Sequence, residues 1–219
     1  MRKNLYFGER VEGYAVPVLN EREARAGAGV LLLPAITSFS ISYFEHDFHF
    51  TKVFITLFMV DFFIRLFINP KYAPSLIIGR FFVQNQTPEY VGASQKKFAW
   101  SIGMVLSILM FFLVVVFEIM TPLKILICLF CILLLFSEAS FGICLGCIIY
   151  QKITKKIPQY CPGGTCEIKQ KEAIQKTSKS QFIIVLLFGF SIFLFSSLIE
   201  KEELIGVHHT SVMKCGSGM

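Results

Sequence analysis

Charge is what this sequence has least of. Asp, Glu, Lys and Arg make up 16% of its 219 residues, where soluble domains carry about 25%. A water-soluble globule of this size would lack the polar side chains to cover its surface, so that class is excluded. No apolar leader is present either: the first 25 residues hold Arg2, Lys3, Glu9, Arg10, Glu12, Glu21, Arg22, Glu23 and Arg25. Without a cleavable signal, insertion into a membrane is expected to depend on the helices themselves. There is no internal repeat, and no polar stretch is long enough for a separate soluble domain. The net charge of +6 would suit nucleic acid if it gathered on one folded face. Instead the basic residues lie between apolar segments, so no nucleic-acid partner is expected.

What the chain has in quantity is apolar surface. Hydrophobic residues make up 54%, and Phe alone accounts for 24 positions. The bilayer is the solvent such a composition fits. A hydrocarbon core about 30 Å thick needs roughly 17–25 apolar helical residues. Five stretches qualify: 26–44 with Pro34 inside it, 51–68 ending at Asn69-Pro70, 98–119, 123–150 and 181–199. They are continuous rather than alternating, which favours helices over barrel strands. The expected fold is therefore all-α, a polytopic transmembrane bundle of about five helices. Its expected division is an N-terminal segment 1–25, a four-helix core 26–150, a Cys-containing loop 151–180, a fifth helix 181–199 and a tail 200–219. Residues 73–83 are apolar but too short to span, and are expected at the membrane interface.

The basic residues also predict orientation. Arg2, Lys3, Arg10, Arg22 and Arg25 precede the first stretch, and Arg65, Lys71, Arg80, Lys96 and Lys97 surround the second-to-third connection. Lys152, Lys155, Lys156, Lys169, Lys171, Lys176 and Lys179 fall in the fourth-to-fifth connection. Only Lys52, Lys124, Lys201 and Lys214 fall on the other side. Such a bias predicts a cell-membrane protein with its N-terminus cytoplasmic and its C-terminus outside.

Cysteines are the most informative residues for chemistry. Cys144-Leu-Gly-Cys147 falls in the last turns expected for the fourth helix, and Cys161-Pro-Gly-Gly-Thr-Cys166 follows in the next loop. Thiols at i and i+3 share a helix face and can reach each other or one partner atom. A helix C-terminus disfavours a thiolate, although Lys152, Lys155 and Lys156 would offset that. Three readings stay open: a dithiol relay between the two pairs, a four-thiolate zinc or iron–sulfur site, or small buried residues beside an unrelated loop pair. A reducing compartment disfavours a permanent staple. Cys128 and Cys131 repeat the spacing, but at 1.5 Å per residue they lie about 20 Å along the axis from Cys144. Apolar packing accounts for them.

Among intramembrane charges, Asp61 and Arg65 stand at i and i+4 and can pair. Glu138 lacks a local partner, and Arg65 is one candidate. Such a carboxylate reads as a proton or substrate site, or as an interhelical clamp. On the opposite side lie His46, His49, His208 and His209, with Cys215 in the tail. Imidazole and thiolate together suit zinc or copper. The plainer reading is a loop, a tail and no cofactor.

The order Asn20-Glu-Arg-Glu-Ala-Arg25, Asp61-Phe-Phe-Ile-Arg65, Pro70-Lys-Tyr-Ala-Pro74, Gln95-Lys-Lys-Phe-Ala-Trp100 and Glu138-Ala-Ser-Phe-Gly-Ile-Cys-Leu-Gly-Cys147 resembles a bacterial membrane family catalogued as domain of unknown function 4395. The resemblance covers about residues 18–150. It implies a membrane location and, through members linked with rhodanese or thioredoxin-like proteins, a sulfur or thiol role. The expected function is thus thiol–disulfide exchange or sulfur relay at Cys144 and Cys147, with Cys161 and Cys166 as shuttle and Glu138 handling protons. The expected partner is a soluble thiol protein or sulfurtransferase. The alternatives are a small transporter or metal-handling protein using Asp61, Arg65 and Glu138, or a structural subunit.

Overall fold

The computed structural model describes residues 7–118, 122–154, 178–192 and 194. The chain divides into two units, Met1–Ile168 and Lys169–Met219. In the first, the element order is β1 (Val18–Asn20), α1 (Glu21–Phe44), α2 (His49–Phe63), α3 (Pro74–Val83), β2 (Tyr90–Gly92), α4 (Ala93–Met110), α5 (Pro122–Phe141) and α6 (Leu145–Thr154). Two helices continue in wider π-type turns, α2 through Ile64–Ile68 and α4 through Phe111–Val116. Within the second unit lies one shorter apolar helix, α7 (Lys179–Ile192).

Local chemistry sets the boundaries. Asn20 caps α1 by accepting from the Arg22 backbone N–H, and Glu21 and Glu23 occupy the first turn, where the helix dipole favours acid. Asn69 is extended and accepts from the Lys71 N–H, ending the α2 extension. Pro74 opens α3 at the position where a missing N–H costs nothing.

The two short strands matter beyond their length. They pair antiparallel, Val18 with Gly92, Leu19 with Val91 and Asn20 with Tyr90. Each runs directly into a helix, and because the pairing is antiparallel α1 and α4 leave from opposite ends of the two-stranded ribbon. Two further backbone bonds close the clamp, Glu21 N–H to the Glu89 carbonyl at 2.7 Å and Ala93 N–H to the Pro17 carbonyl at 3.0 Å.

The core forms around α1. Ala24, Ala28, Leu31 and Ala35 lie on one face and pack with Phe58, Phe62, Leu76, Trp100, Met104 and Leu135. Outward-facing side chains are apolar as well: Leu57, Phe81, Val105 and Leu126 are all about two-thirds exposed. A surface this apolar is stable against lipid and unstable against water. Among the described residues three helices are long and apolar enough to cross a membrane, Glu21–Phe44, Ala93–Val116 and Pro122–Phe141. The second apolar stretch also forms a helix, but it carries Lys52, Asp61 and Arg65. The stretch 73–83 is mostly helical, as α3, and its Ser75, Leu76 and Gly79 are buried.

Backbone approaches backbone closely where α3 meets α1. A methyl group added at Gly79 would lie 2.7 Å from the Gly27 nitrogen and 3.0 Å from the Glu23 carbonyl oxygen. Backbone cannot yield as a flexible side chain can, so α3 would have to move away. Gly79→Ala is expected to cost about 1–3 kcal/mol, read as earlier thermal unfolding in detergent. Gly29→Ala, whose nearest atom would be 4.0 Å away, is expected to change stability by no more than about 0.5 kcal/mol.

Candidate functional site

The expected fourth helix, 123–150, is two helices, and the break changes the setting of the cysteine pair. Gly142 adopts φ +64°, a left-handed conformation that glycine takes without penalty and that commonly ends a helix. Its N–H donates to the Glu138 carbonyl at 3.1 Å, and the Ile143 N–H donates to the Ser137 carbonyl at 3.1 Å. The chain then restarts as α6. The Cys144 carbonyl accepts the first bonds of that helix, from the N–H groups of Cys147 and Ile148, so Cys144 occupies the cap position. The pair therefore stands at a helix N-terminus, not at the C-terminus expected from the unbroken apolar run. The polarity argument reverses: an N-terminal dipole favours a thiolate.

Cys144 and Cys147 are joined in a disulfide with Cα atoms 5.2 Å apart. The Cys147 N–H also donates to the Cys144 sulfur at 3.3 Å. Gly146 between them has a packing role. A methyl there would fall 2.7 Å from both the Cα and the Cβ of Ala99, so only glycine lets α6 lie this close to α4. Farther along the same contact, the Phe98 and Tyr150 rings meet at 5.3 Å.

One turn before the break sits Glu138. Arg65 is not its ion-pair partner; Lys96 is. The Lys96 ammonium lies 2.7 Å from Glu138 Oε1 and 2.8 Å from Glu21 Oε2, and the Lys96 and Glu21 side chains are wholly buried. The strand clamp ties together the segments that lead into α1 and α4, and the long Lys96 side chain reaches from α4 to the first residue of α1. Arg25 extends the cluster, with Nε 3.5 Å from Glu21 Oε1. Its guanidinium lies over Gly142, where an added methyl would be 2.1 Å from Nη2. Charge is thus concentrated at the hinge that places the cysteines. Glu21, Arg25 and Lys96 were legible only as boundary charges, and Gly142 was the one local signal of the break.

Asp61 and Arg65 do pair, as their spacing predicts, at 2.8 Å. Ser75 completes the group: its N–H and hydroxyl donate to Asp61, and its hydroxyl accepts from Arg65 Nη2 at 2.6 Å. The Arg65 guanidinium also lies over the Phe62 and Trp100 rings, at 4.7 and 5.0 Å. This group fastens α2 to the first turn of α3. Cys128 and Cys131 are free thiols packed against a small apolar cluster of Ile55, Met110, Val114 and Ile127. His46 and His49 are in and just after the α1–α2 connection. No group of three or more His, Cys, Asp or Glu suited to a metal occurs among the described residues. Cys161, Cys166, His208, His209 and Cys215 lie outside the described residues.

A family model described as a domain of unknown function, DUF4395, matches residues 19–155. The chain belongs to the DUF4395 family. The DUF4395 segment contains Glu21, Arg25, Lys96, Glu138, Gly142, Cys144 and Cys147, the whole cluster just built. It excludes Cys161, Cys166 and the tail. No curated protein and no solved structure matches the chain.

The buried triad generates a graded expectation. Lys96→Met takes away the cation that Glu21 and Glu138 share and leaves Arg25 to pair with Glu21 alone, a loss of about 3–5 kcal/mol for a broken buried pair. Glu138→Gln keeps the Lys96–Glu21 pair and should cost less. Thermal unfolding of the two variants in detergent, followed by exposure of the Cys128 and Cys131 thiols, checks the order.

Proposed function

We propose that this protein crosses the cell membrane five times with its N-terminus cytoplasmic, and that Cys144 and Cys147 cycle between disulfide and dithiol. The supporting observation is the disulfide at the N-terminus of α6, beside the Lys96–Glu138 pair. An N-terminal cap position stabilises Cys144 as a thiolate, whether it attacks or leaves. Glu138 supplies a carboxylate close to the break, positioned by Lys96, for handling the protons that accompany the change. The α2 stretch is counted as a span because Asp61 and Arg65 neutralise each other. The sidedness rests on the distribution of Lys and Arg.

The Cys161 and Cys166 dithiol would reduce the pair in two steps. Its thiolate attacks one sulfur to give a mixed disulfide and releases the other as thiolate. Its second thiol then resolves the mixed disulfide, leaving Cys144 and Cys147 reduced and Cys161 and Cys166 oxidised, to be reduced in turn by a soluble dithiol partner. Cys161 and Cys166, in the segment after α6, carry the exchange between this pair and the partner. A transport path through Asp61, Arg65 and Glu138 is less favoured, because each of these charges is held by a partner within the fold.

The test is a redox titration of the purified full chain in lipid nanodiscs, with reduced thiols counted by maleimide mass tagging. Cys144 and Cys147 should convert together in one two-electron transition, absent from Cys144→Ser and Cys147→Ser. If both cysteines stay fully labelled, or fully protected, at every dithiothreitol ratio, the reading fails.

A further inference from the structure

The surroundings of Cys144 point to a second reactant. Cys144 and Cys147 are about 5% exposed, poorly placed for direct attack by a bulky partner. Cys144 instead lines a groove between α4, α5 and α6, together with Glu138, Trp100, Ile102, Phe130 and Ile149. Its walls are overwhelmingly apolar, and it is an open groove rather than an enclosed cavity. Phe130 and Ile149 at its edge are more than 40% exposed, and α4 and α5 are both long and apolar enough to span. The groove therefore faces lipid. Two polar groups interrupt it. Glu138 is one, held at 2.7 Å by Lys96. The other is Trp100, a lining residue whose indole N–H is buried and has no hydrogen-bond partner among the described residues. An unpaired buried donor costs about 1–3 kcal/mol, and an acceptor arriving with a ligand would relieve it.

We infer that the Cys144–Cys147 pair exchanges electrons with a lipid-soluble quinone bound in this groove, an inference that rests on the redox reading above. An apolar ring reaches the groove from the bilayer, a quinone oxygen accepts from Trp100, and the cysteine pair lies alongside. The step balances. The two S–H bonds of Cys144 and Cys147 break and one S–S bond forms. Both electrons pass to the ring, and the two protons reduce its two carbonyl oxygens to hydroxyls. Glu138 is the carboxylate through which a proton can pass. The soluble dithiol then re-reduces the disulfide, so that electrons flow from cytoplasmic thiols into the quinone of the membrane.

The experiment uses the full chain in nanodiscs, reduced, freed of reductant and mixed with a tetrasubstituted benzoquinone carrying a decyl tail. Full substitution prevents thiol addition to the ring. Quinone absorbance and tagged thiols are followed together. One quinone should be consumed per disulfide formed, at least about 100-fold faster than in the Cys144→Ser/Cys147→Ser variant. Ile149→Trp, which fills the groove from its exposed edge, should raise the quinone concentration for half-maximal rate at least about tenfold. Its dithiothreitol titration midpoint should not move. Trp100→Phe should slow the quinone step, again without moving that midpoint. If the pair titrates with dithiothreitol but reduces quinone no faster than the cysteine-free variant, the quinone inference is overturned and the thiol reading stands. If Ile149→Trp and Trp100→Phe both leave the quinone kinetics unchanged, the groove is not the site. If the pair does not titrate, both readings fall.

Discussion

A single ammonium group holds this structure together. Lys96 lies between Glu21 of α1 and Glu138 of α5, so three helices share one buried cation. Ionised side chains in such surroundings lose several kcal/mol of hydration each. The loss is offset only while the geometry is close and the charges are matched. The strand pair Val18–Asn20 with Tyr90–Gly92 contributes to that geometry, since it ties together the segments that lead into α1 and α4. Arg25 adds a second positive group, touching Glu21 and resting on Gly142. Packing, charge and the helix break are therefore one arrangement rather than three.

The Asp61–Arg65–Ser75 group is a useful contrast. It is as buried and as well hydrogen-bonded, but it closes on itself. Ser75 occupies both Asp61 oxygens, and aromatic faces cover Arg65. Its work is to fasten α2 to α3. The Lys96 cluster differs because Glu138 lines the groove shared with Cys144. Two charged clusters of similar chemistry thus take different roles through what lies next to them.

Much of the architecture was legible in composition, because length and hydropathy report directly on lipid burial. The stretches 26–44, 98–119 and the first part of 123–150 correspond to the three helices able to span. The Asp61–Arg65 pair followed from helical spacing alone. Two features were not legible, for different physical reasons. Phe141-Gly142-Ile143-Cys144 stays apolar through the break, and hydropathy carries no information about the sign of a dihedral angle. The Lys96–Glu21 contact is non-local and depends on strands of three residues each, too short for alternation to be read. The direction of the dipole at the cysteines followed from the first of these. The choice of partner for Glu138 followed from the second.

The shared cation also orders assembly. The ribosome delivers Glu21 first, Lys96 later and Glu138 last. Until α4 has been made, the Glu21 carboxylate has only Arg25, one turn along its own helix, to pair with, and it lacks the closer Lys96 contact that accompanies its full burial. The strand that positions α1 likewise lacks its partner until Tyr90–Gly92 has emerged. Burial of Glu21 at the start of α1 is consequently matched only when α4 has followed, and the cluster is complete only when Glu138 of α5 has followed that.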